Sequence, residues 1–253
     1  MKLTTKKSTV KIHRDLPHFL PCSVSNVRVR GWQMIKHFEG GYIEVRAWET
    51  INATDILVLL GIVKAFQDRQ GDIREGEKYK NSDIERKAIM IRIKLKQFDK
   101  LYSKLKNYKL IEDTLKRLVS LVEWHHEDNG NVFQVRYLLD FVIKEEDGIK
   151  YLTLMLNKAF YDKCLAEGWV INYEKLQSIK GQVARTLFFY ISAQRNTAFY
   201  QNTLERKLGL EGNPTDIRKI LRKSFKEIEQ KGYIKYFNDK KTDEGYLFGF
   251  RWA

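Results

Sequence analysis

The stretch DIRKILRKSFKEIEQKGYIKYF, residues 216–237, decides how this chain is interpreted. At about 100° per residue its apolar side chains fall on one arc, which is the pattern of an amphipathic helix with one buried face. These side chains are Ile217, Ile220, Leu221, Phe225 and Ile228. The complementary arc is basic, and no acidic residue interrupts it. This basic arc consists of Arg218, Lys219, Arg222, Lys223 and Lys226.

The basic arc is unusual for a helix that meets only solvent. Solvated faces usually pair Glu with Lys one turn apart, because opposite charges attract and like charges repel. A polyanion beside the arc would remove this repulsion. We therefore predict a helix that lies against DNA, with an ordinary solvated basic face as the alternative. Arginine suits two-point contact with guanine, so we expect Arg218 and Arg222 to reach base edges while the lysines hold phosphates.

Composition restricts the possible partners. The 253 residues carry a formal net charge of +14 at pH 7, which favours nucleic acid or an anionic membrane. The longest apolar run, Ile56–Val63, is far shorter than the ~20 residues of a membrane-spanning helix. The basic N-terminus leads into no apolar signal segment. Cys22 and Cys164 form no CxxC pair, which argues against a disulfide scaffold and a cysteine zinc module. We expect a cytoplasmic protein with no membrane partner.

The elements around the basic helix indicate the fold of the second half. A helix is predicted at 181–194 and a short helix at 201–210. Asn213 is placed to cap the long basic helix, with Pro214 at its first position, and Gly232 ends it. A hairpin follows, and alternation in its second strand predicts one buried aromatic face. That face comprises Tyr246, Phe248, Phe250 and Trp252.

The first half repeats this order of elements. A hairpin is predicted around Gly40-Gly41, and a helix then begins with Asn52 as N-cap and Asp55 completing a capping box. A short strand at 89–95 and further helices up to 108–122 follow. The last element is a hairpin over 122–143, turning at Asn129-Gly130.

Helix, short helix, longer helix and hairpin, in that order, is typical of a winged helix. We therefore predict an α+β fold with two tandem winged-helix domains. The predicted boundaries give a basic N-terminal arm at 1–30, an N-terminal winged helix at 31–150 and a C-terminal one at 151–253. The long basic helix would be the recognition helix of the second domain and would lie in the major groove.

Two other places are expected to contribute DNA contacts. The first domain's recognition helix carries basic residues on one side with acidic residues nearby, so a purely structural role is the alternative. These basic residues are Lys106, Lys109, Lys116 and Arg117. At the tip of the second hairpin, Lys240 and Lys241 would meet the DNA backbone, with a solvated turn as the alternative.

The sequence contains no motif that is typical of a catalytic site. His125 and His126 are adjacent, so on a strand their side chains point to opposite faces and cannot easily bind one metal ion. Neither a G-x-x-x-x-G-K-[ST] motif nor a G-x-S-x-G motif occurs. We expect no metal, no cofactor and no catalytic residue. A rolling-circle replication enzyme would need a His-apolar-His metal site and a nucleophilic tyrosine, and the adjacent His125 and His126 do not have this spacing.

On these residues the chain resembles the initiator proteins of theta-replicating bacterial plasmids. The resemblance extends over about residues 50–252, is strongest at 152–237, and does not include the polar stretch 71–88. Family members have an "AR-L--Y" helix, matched here by Ala184, Arg185, Leu187 and Tyr190. They continue with "L---LGL", here 204–210, and with a basic helix ending in "L/I-E-GYI", here 228–234.

The resemblance implies tandem winged helices that bind short direct repeats in a plasmid origin. It also implies melting of an adjacent AT-rich segment and cooperation with host DnaA and the replicative helicase. Many family members repress their own gene as dimers, so a monomer–dimer equilibrium is implied, and we expect its apolar surface at Ile56–Val63 and 89–95. The alternative functions are a tandem winged-helix transcription regulator and an interaction protein that docks on acidic partners.

Overall fold

The computed structural model describes residues 9–13, 16, 22–24, 27–38, 40–75, 79–80, 85–86, 88–97 and 108–253. Its helices are α1 (Ala53–Asp68), α2 (Tyr108–Ser120), α3 (Lys158–Glu167), α4 (Tyr173–Ser178), α5 (Gln182–Ser192), α6 (Gln201–Leu208) and α7 (Pro214–Gln230). Its strands are β1 (Thr9–Ile12), β2 (Arg30–Phe38), β3 (Gly41–Glu49), β4 (Arg74–Glu75), β5 (Tyr79–Lys80), β6 (Glu85–Arg86), β7 (Ala88–Lys94), β8 (Val122–Glu127), β9 (Val132–Val135), β10 (Leu138–Glu146), β11 (Ile149–Asn157), β12 (Trp169–Asn172), β13 (Ala198–Tyr200), β14 (Ile234–Thr242) and β15 (Gly245–Trp252).

Helix α1 begins at the predicted capping box. The Asn52 side chain accepts hydrogen bonds from the backbone N–H groups of Thr54 and Asp55, and the Asp55 carboxylate accepts one from the backbone N–H of Asn52. The apolar run Ile56–Val63 that follows is buried throughout. Within 89–95, Ile89, Ile91, Ile93 and Leu95 are buried as well. Both segments therefore lie in the core of the monomer, and the dimer surface that we expected from them is wrong.

One four-stranded antiparallel sheet has the order β2-β3-β8-β9. Its two hairpins turn at Gly40-Gly41 and at Asn129-Gly130, as predicted. Gly41 has a φ of +151°, and a Cβ there would lie 2.0 Å from the carbonyl oxygen of His126 on the neighbouring strand. Only glycine therefore lets β3 approach β8 this closely. Helix α2 packs against β3.

A second four-stranded sheet, β10-β11-β7-β4, corrects two predictions. The hairpin predicted over 122–143 ends with β9 at Val135, and Leu138 begins β10, which belongs to this other sheet. Strand β10 pairs with β11 from Leu138↔Leu156 to Glu146↔Ile149. A domain boundary at residue 150 would separate the two paired strands of this hairpin.

Residues 9–12 of the predicted N-terminal arm are an integral strand. Strand β1 pairs antiparallel with β12, from Thr9↔Asn172 to Ile12↔Trp169. Val10 and Ile12 alternate inward and are 1% and 0% exposed. These four residues of the predicted arm therefore belong to the fold, since they pair with β12 and bury their apolar side chains. Most of the remainder of 1–30 lies outside the described residues.

In the second half, helices α5, α6 and α7 precede the hairpin β14–β15, as predicted. Strand β13 adds to the hairpin in the order β13-β15-β14, and α7 packs on α5 and β14. Phe248 and Phe250 are buried in the predicted aromatic face, whereas Trp252 at its end is 40% exposed. Ile220 is 41% exposed because it lies at the edge of the apolar arc.

The two halves share one strand arrangement. The order β7-β11-β10 in the first half corresponds to β13-β15-β14 in the second. In each case the second strand of a hairpin pairs with the first and also with a strand from earlier in the chain. Within the described residues, no helix combines the length and the apolar character needed to cross a membrane.

Polar contacts between buried and partly buried residues connect the two halves. The buried Arg185 donates from Nη1 to Thr54 Oγ1 at 2.9 Å and from Nη2 to the carbonyl of Ile179. Lys36 on β2 donates from Nζ to the carbonyl oxygen of Lys207 on α6 at 3.2 Å. Burial lowers the pKa of Lys36 to about 8. Apolar residues of both halves join in one continuous core.

Candidate nucleic-acid interface

Helix α7 holds the basic arc on a rigid support. The Asn213 side chain accepts a hydrogen bond from the backbone N–H of Thr215 at 2.8 Å, and Pro214 follows it at the helix start. On the opposite side of the helix Leu221 and Phe225 are 0% exposed. Phe225 also stacks on Phe237 of β14, with ring centroids 4.8 Å apart. The hairpin thus fixes the apolar side and leaves the basic arc turned away from the core.

Most of the basic arc lines an open groove along α7. The groove has a volume of about 620 Å³, and its walls include Lys219, Arg222, Lys223 and Lys226. Lys219 Nζ lies 2.8 Å from Asp216 Oδ1, in a pair exposed enough for a phosphate to replace the carboxylate. In the part of the chain that the structure describes, no ion pair involves Lys223 or Lys226. The groove therefore presents positive charge to solvent.

Glu227 borders the groove but serves to cap a helix. Its Oε1 accepts hydrogen bonds from the backbone N–H groups of Lys180 at 2.7 Å and Gly181 at 3.1 Å. Gly181 is the N-cap of α5 and has no side chain that could cap the helix. The carboxylate instead satisfies backbone donors at the positive end of α5. This contact also connects α7 to α5 at the C-terminal end of the basic arc.

Both arginines of the basic arc contact one acidic side chain on the hairpin. Arg218 donates to Oδ2 of Asp239 from Nε at 2.8 Å and from Nη2 at 2.6 Å. Arg222 Nε lies 3.1 Å from Asp239 Oδ1. The guanidinium of Arg218 also lies over the ring of Tyr246, 3.5 Å from its centroid. The carboxylate of Asp239 is almost completely buried, with 6% of its side chain exposed.

The lysines of the hairpin lie on its strand and not in its turn. Strand β14 continues to Thr242, with Lys240 opposite Leu247 and Lys241 opposite Tyr246. Both lysines are exposed. Alternation along the strand puts Lys241 on the same face as Asp239, beside α7, and puts Lys240 on the other face. Of the two, Lys241 is therefore closer to the surface that carries the basic arc.

In the first unit, Arg117 corrects the predicted set of DNA contacts. It is 7% exposed, and its Nε and Nη2 lie 3.1 and 3.0 Å from Oδ1 of Asp55, which is 0% exposed. Arg28 Nη1 binds the other oxygen of Asp55 at 2.6 Å. A buried carboxylate needs such partners, because burial of an isolated charge is costly. Arg117 is enclosed in this buried cluster, and the DNA contact predicted for it is wrong.

The other basic residues of this helix remain predictions. Lys116 Nζ lies 2.7 Å from Glu112 Oε1, one turn away on α2, and both side chains are nearly half exposed. This hydrogen bond to Glu112 raises the pKa of Lys116. Lys109 is exposed at the start of α2. Lys106 lies outside the described residues.

The histidine pair is separated as its spacing predicts. His125 is buried and lies 3.1 Å from Glu123 Oε2, whereas His126 stacks on Tyr42 with ring centroids 4.3 Å apart. In the described ranges no group of three or more metal-binding side chains comes together. Burial raises the pKa of Cys22 to about 11 and that of Cys164 to about 12.

Sequence reasoning missed the role of Asp239 and Tyr246. On the sequence, Asp239 belonged to a polar turn, NDKKTDEG, because acidic, basic and glycine residues cluster there. The signal that could have identified it is alternation: Phe237, Asp239 and Lys241 share one side of a strand that Phe237 anchors to α7. Extending the strand past Phe237 would have placed the carboxylate beside the arginines.

Comparison with known proteins identifies the fold. No protein-family model and no curated protein matches the chain. The chain is similar to a crystal structure of the selenomethionine form of domains 2 and 3 of RctB, with a TM-score of 0.63 and 11% identity over 95% of this chain and 98% of that chain. A second structure of RctB domains 2–3 gives a TM-score of 0.58 and 11% identity over 92% of this chain and 95% of that chain. The mixed α+β fold of this chain is therefore that of a two-domain RctB fragment along nearly its whole length.

Proposed function

We propose that this protein binds double-stranded DNA sequence-specifically and initiates plasmid replication. The observation that carries the proposal is the groove along α7, where lysines and an arginine of the basic arc face solvent beside the β14–β15 hairpin. A helix with such a face suits the major groove, and an adjacent strand pair suits the DNA backbone. On this proposal the groove lysines contact phosphates.

The proposal includes a winged-helix arrangement in both units. It is supported by the order of α5, α6, α7 and the β14–β15 hairpin, and by the pairing of β13 with that hairpin. The matching order β7-β11-β10 supports an equivalent unit in the first half. In that unit the wing would be the β10–β11 hairpin and not β8–β9.

The initiator role rests on the resemblance to theta-type plasmid initiators, and the fold likeness to RctB domains 2 and 3 supports the tandem arrangement. On this role the protein would bind origin repeats, promote melting nearby and cooperate with host DnaA and the replicative helicase. It would do so in the cytoplasm without itself being an enzyme, so Mg²⁺ or Mn²⁺ should not induce nicking. A covalent tyrosyl–DNA adduct would overturn that part of the proposal.

Footprinting on the protein's own replicon tests the proposed function. We expect protection of spaced direct repeats and permanganate reactivity in an adjacent AT-rich stretch. A single protected operator without melting would instead identify a transcription regulator. Lack of selective duplex binding at physiological salt would contradict both and favour docking on an acidic partner. We also propose a monomer–dimer equilibrium. Sedimentation at tens of micromolar protein tests it, and detection of monomer alone would contradict it.

A further inference from the structure

The two arginines of the basic arc have unequal surroundings, although the sequence makes them equivalent. Arg218 uses Nε and Nη2 together on one oxygen of Asp239 and is covered on one face by Tyr246. Arg222 forms only an ion pair with the other oxygen, with its Nε 3.1 Å from Asp239 Oδ1. The exposed fraction of the side chain is 27% for Arg218 and 47% for Arg222. Arg222 lines the groove along α7, and Arg218 does not.

This asymmetry matters for base recognition. Two-point contact with O6 and N7 of guanine requires two N–H groups on one edge of the guanidinium. Arg222 lines the groove, and among the described residues no hydrogen bond or ion pair involves its terminal nitrogens, Nη1 and Nη2. Arg218 has already committed its Nε–Nη2 edge to a carboxylate and its flat face to an aromatic ring. Moving it toward DNA would separate it from both partners and leave Asp239 short of compensating charge.

Resting on the proposed function, we propose that Arg222 is the specificity-determining arginine of α7, that it reads a guanine, and that Asp239 is its positioning residue. Asp239 holds Nε of Arg222 and thereby fixes the direction of the two terminal nitrogens before DNA arrives. Arg218 and Tyr246 in turn hold Asp239 against α7. Arg218 thus has a structural role, in which it connects α7 to the β14–β15 hairpin. This replaces the expectation that both arginines read bases.

The arrangement also links recognition to the hairpin. Asp239 lies on β14, opposite Phe248 in the register, and Phe248 is part of the buried aromatic face. The position of Arg222 therefore depends on the hairpin being seated on α7. A pre-positioned arginine loses less side-chain freedom on binding than one that is mobile. It also presents a fixed geometry to one base pair, which is what discrimination requires.

Matched lysine variants test the proposal. Arg222→Lys and Arg218→Lys both keep the positive charge and lose the guanidinium edge with its two N–H groups. The probes are footprint-derived duplexes in which each G·C pair is replaced in turn, with equilibrium affinities measured by fluorescence anisotropy. We expect Arg222→Lys to reduce the preference at one G·C pair by about 5- to 150-fold. Arg218→Lys should retain the full pattern of preferences, with all duplexes weakened by a similar small factor.

Asp239→Asn provides the readout that separates positioning from general support. We expect it to weaken discrimination at the same G·C pair as Arg222→Lys. In the double variant, Asp239→Asn should add little further loss at that pair, because the two residues act as a unit. Losses that simply add would mean that Asp239 does not act through Arg222. Circular dichroism melting of each variant confirms that the comparisons are made on folded protein.

The outcomes also separate this inference from the proposed function. Wild-type protein without preference among duplexes would contradict the proposed function itself. Wild-type preference combined with an unchanged pattern in Arg222→Lys would overturn only the assignment of Arg222. Loss at one G·C pair in each lysine variant would show two base-reading arginines and would equally overturn it.

Discussion

Replacement of Arg117 by Met tests the buried ion-pair cluster that joins α2 to α1. The change keeps an unbranched side chain while it removes the two donors, Nε and Nη2, that Asp55 accepts from Arg117. Asp55 would keep Arg28 Nη1 at 2.6 Å and the backbone N–H of Asn52 at 2.9 Å. The buried carboxylate would therefore be partly and not wholly deprived of partners.

The geometry sets the expected magnitude. Removing one partner of a buried ion pair typically costs about 3–5 kcal/mol. Because Arg28 still compensates part of the charge of Asp55, we expect the lower end, about 3 kcal/mol. Lys116→Ala is the matched control, since Lys116 precedes Arg117 on α2 but pairs with Glu112 at the surface. An exposed pair one turn apart contributes little to stability, because solvent screens the two charges.

Urea unfolding followed by circular dichroism measures both variants. With a slope of about 3 kcal/mol per molar urea, the midpoint should fall by about 1 M for Arg117→Met and should hardly change for Lys116→Ala. DNA affinity of folded Arg117→Met should equal that of the wild type. Equal midpoints for the two variants would refute the burial argument. Native stability with lost DNA affinity would restore Arg117 as a DNA contact.

Three further predictions follow from the same structure. Leu221→Ala should destabilise by roughly 2–5 kcal/mol in urea unfolding, and Ile220→Ala by well under half as much, because only the first side chain is fully buried; equal losses would contradict the packing of α7. Burial lowers the pKa of Lys36 to about 8, against 10.5 for an unburied lysine, so between these pH values the unfolded state binds more protons than the folded state. The free energy of unfolding of the wild type, relative to that of Lys36→Met, should therefore increase as the pH is raised from about 8 to 10.5. A difference that does not depend on pH would contradict this prediction. Lys223→Ala should weaken all duplexes alike and reduce the salt slope by about one unit, whereas Lys116→Ala should change the slope less; a wild-type slope in Lys223→Ala would remove Lys223 from the interface.

Features with a local cause could be predicted from the sequence. The starts of α1 and α7 are indicated by Asn52 with Asp55 and by Asn213 with Pro214. The Asn and Asp side chains bind backbone N–H groups at the helix start, and the proline ring fixes φ. Turns at Gly40-Gly41 depend likewise on residues next to each other in the chain. Such features need no knowledge of the tertiary fold.

Long-range pairing could not be predicted in the same way. Nothing local in 122–143 says that β8 and β9 join one sheet while β10 joins another. The burial of Arg117 depends on Asp55, 62 residues earlier, and the asymmetry of Arg218 depends on Asp239, 21 residues later. A helical wheel sorts side chains by direction, but it does not show which neighbouring element they meet. The basic arc was therefore predicted correctly as a face, while the difference between its arginines was not.

The two units use their cations differently, and this bears on how each would meet DNA. In the first, Arg117 of α2 neutralises a buried carboxylate and Lys116 is paired with an acid one turn away. In the second, α7 directs its acidic neighbour Glu227 to the N-terminus of α5 and leaves Lys223 and Lys226 facing the groove. Counterion release scales with phosphates neutralised by exposed cations, so the second unit should supply more of the electrostatic affinity. The net charge of +14 alone does not reveal this division, because it counts buried and exposed cations alike.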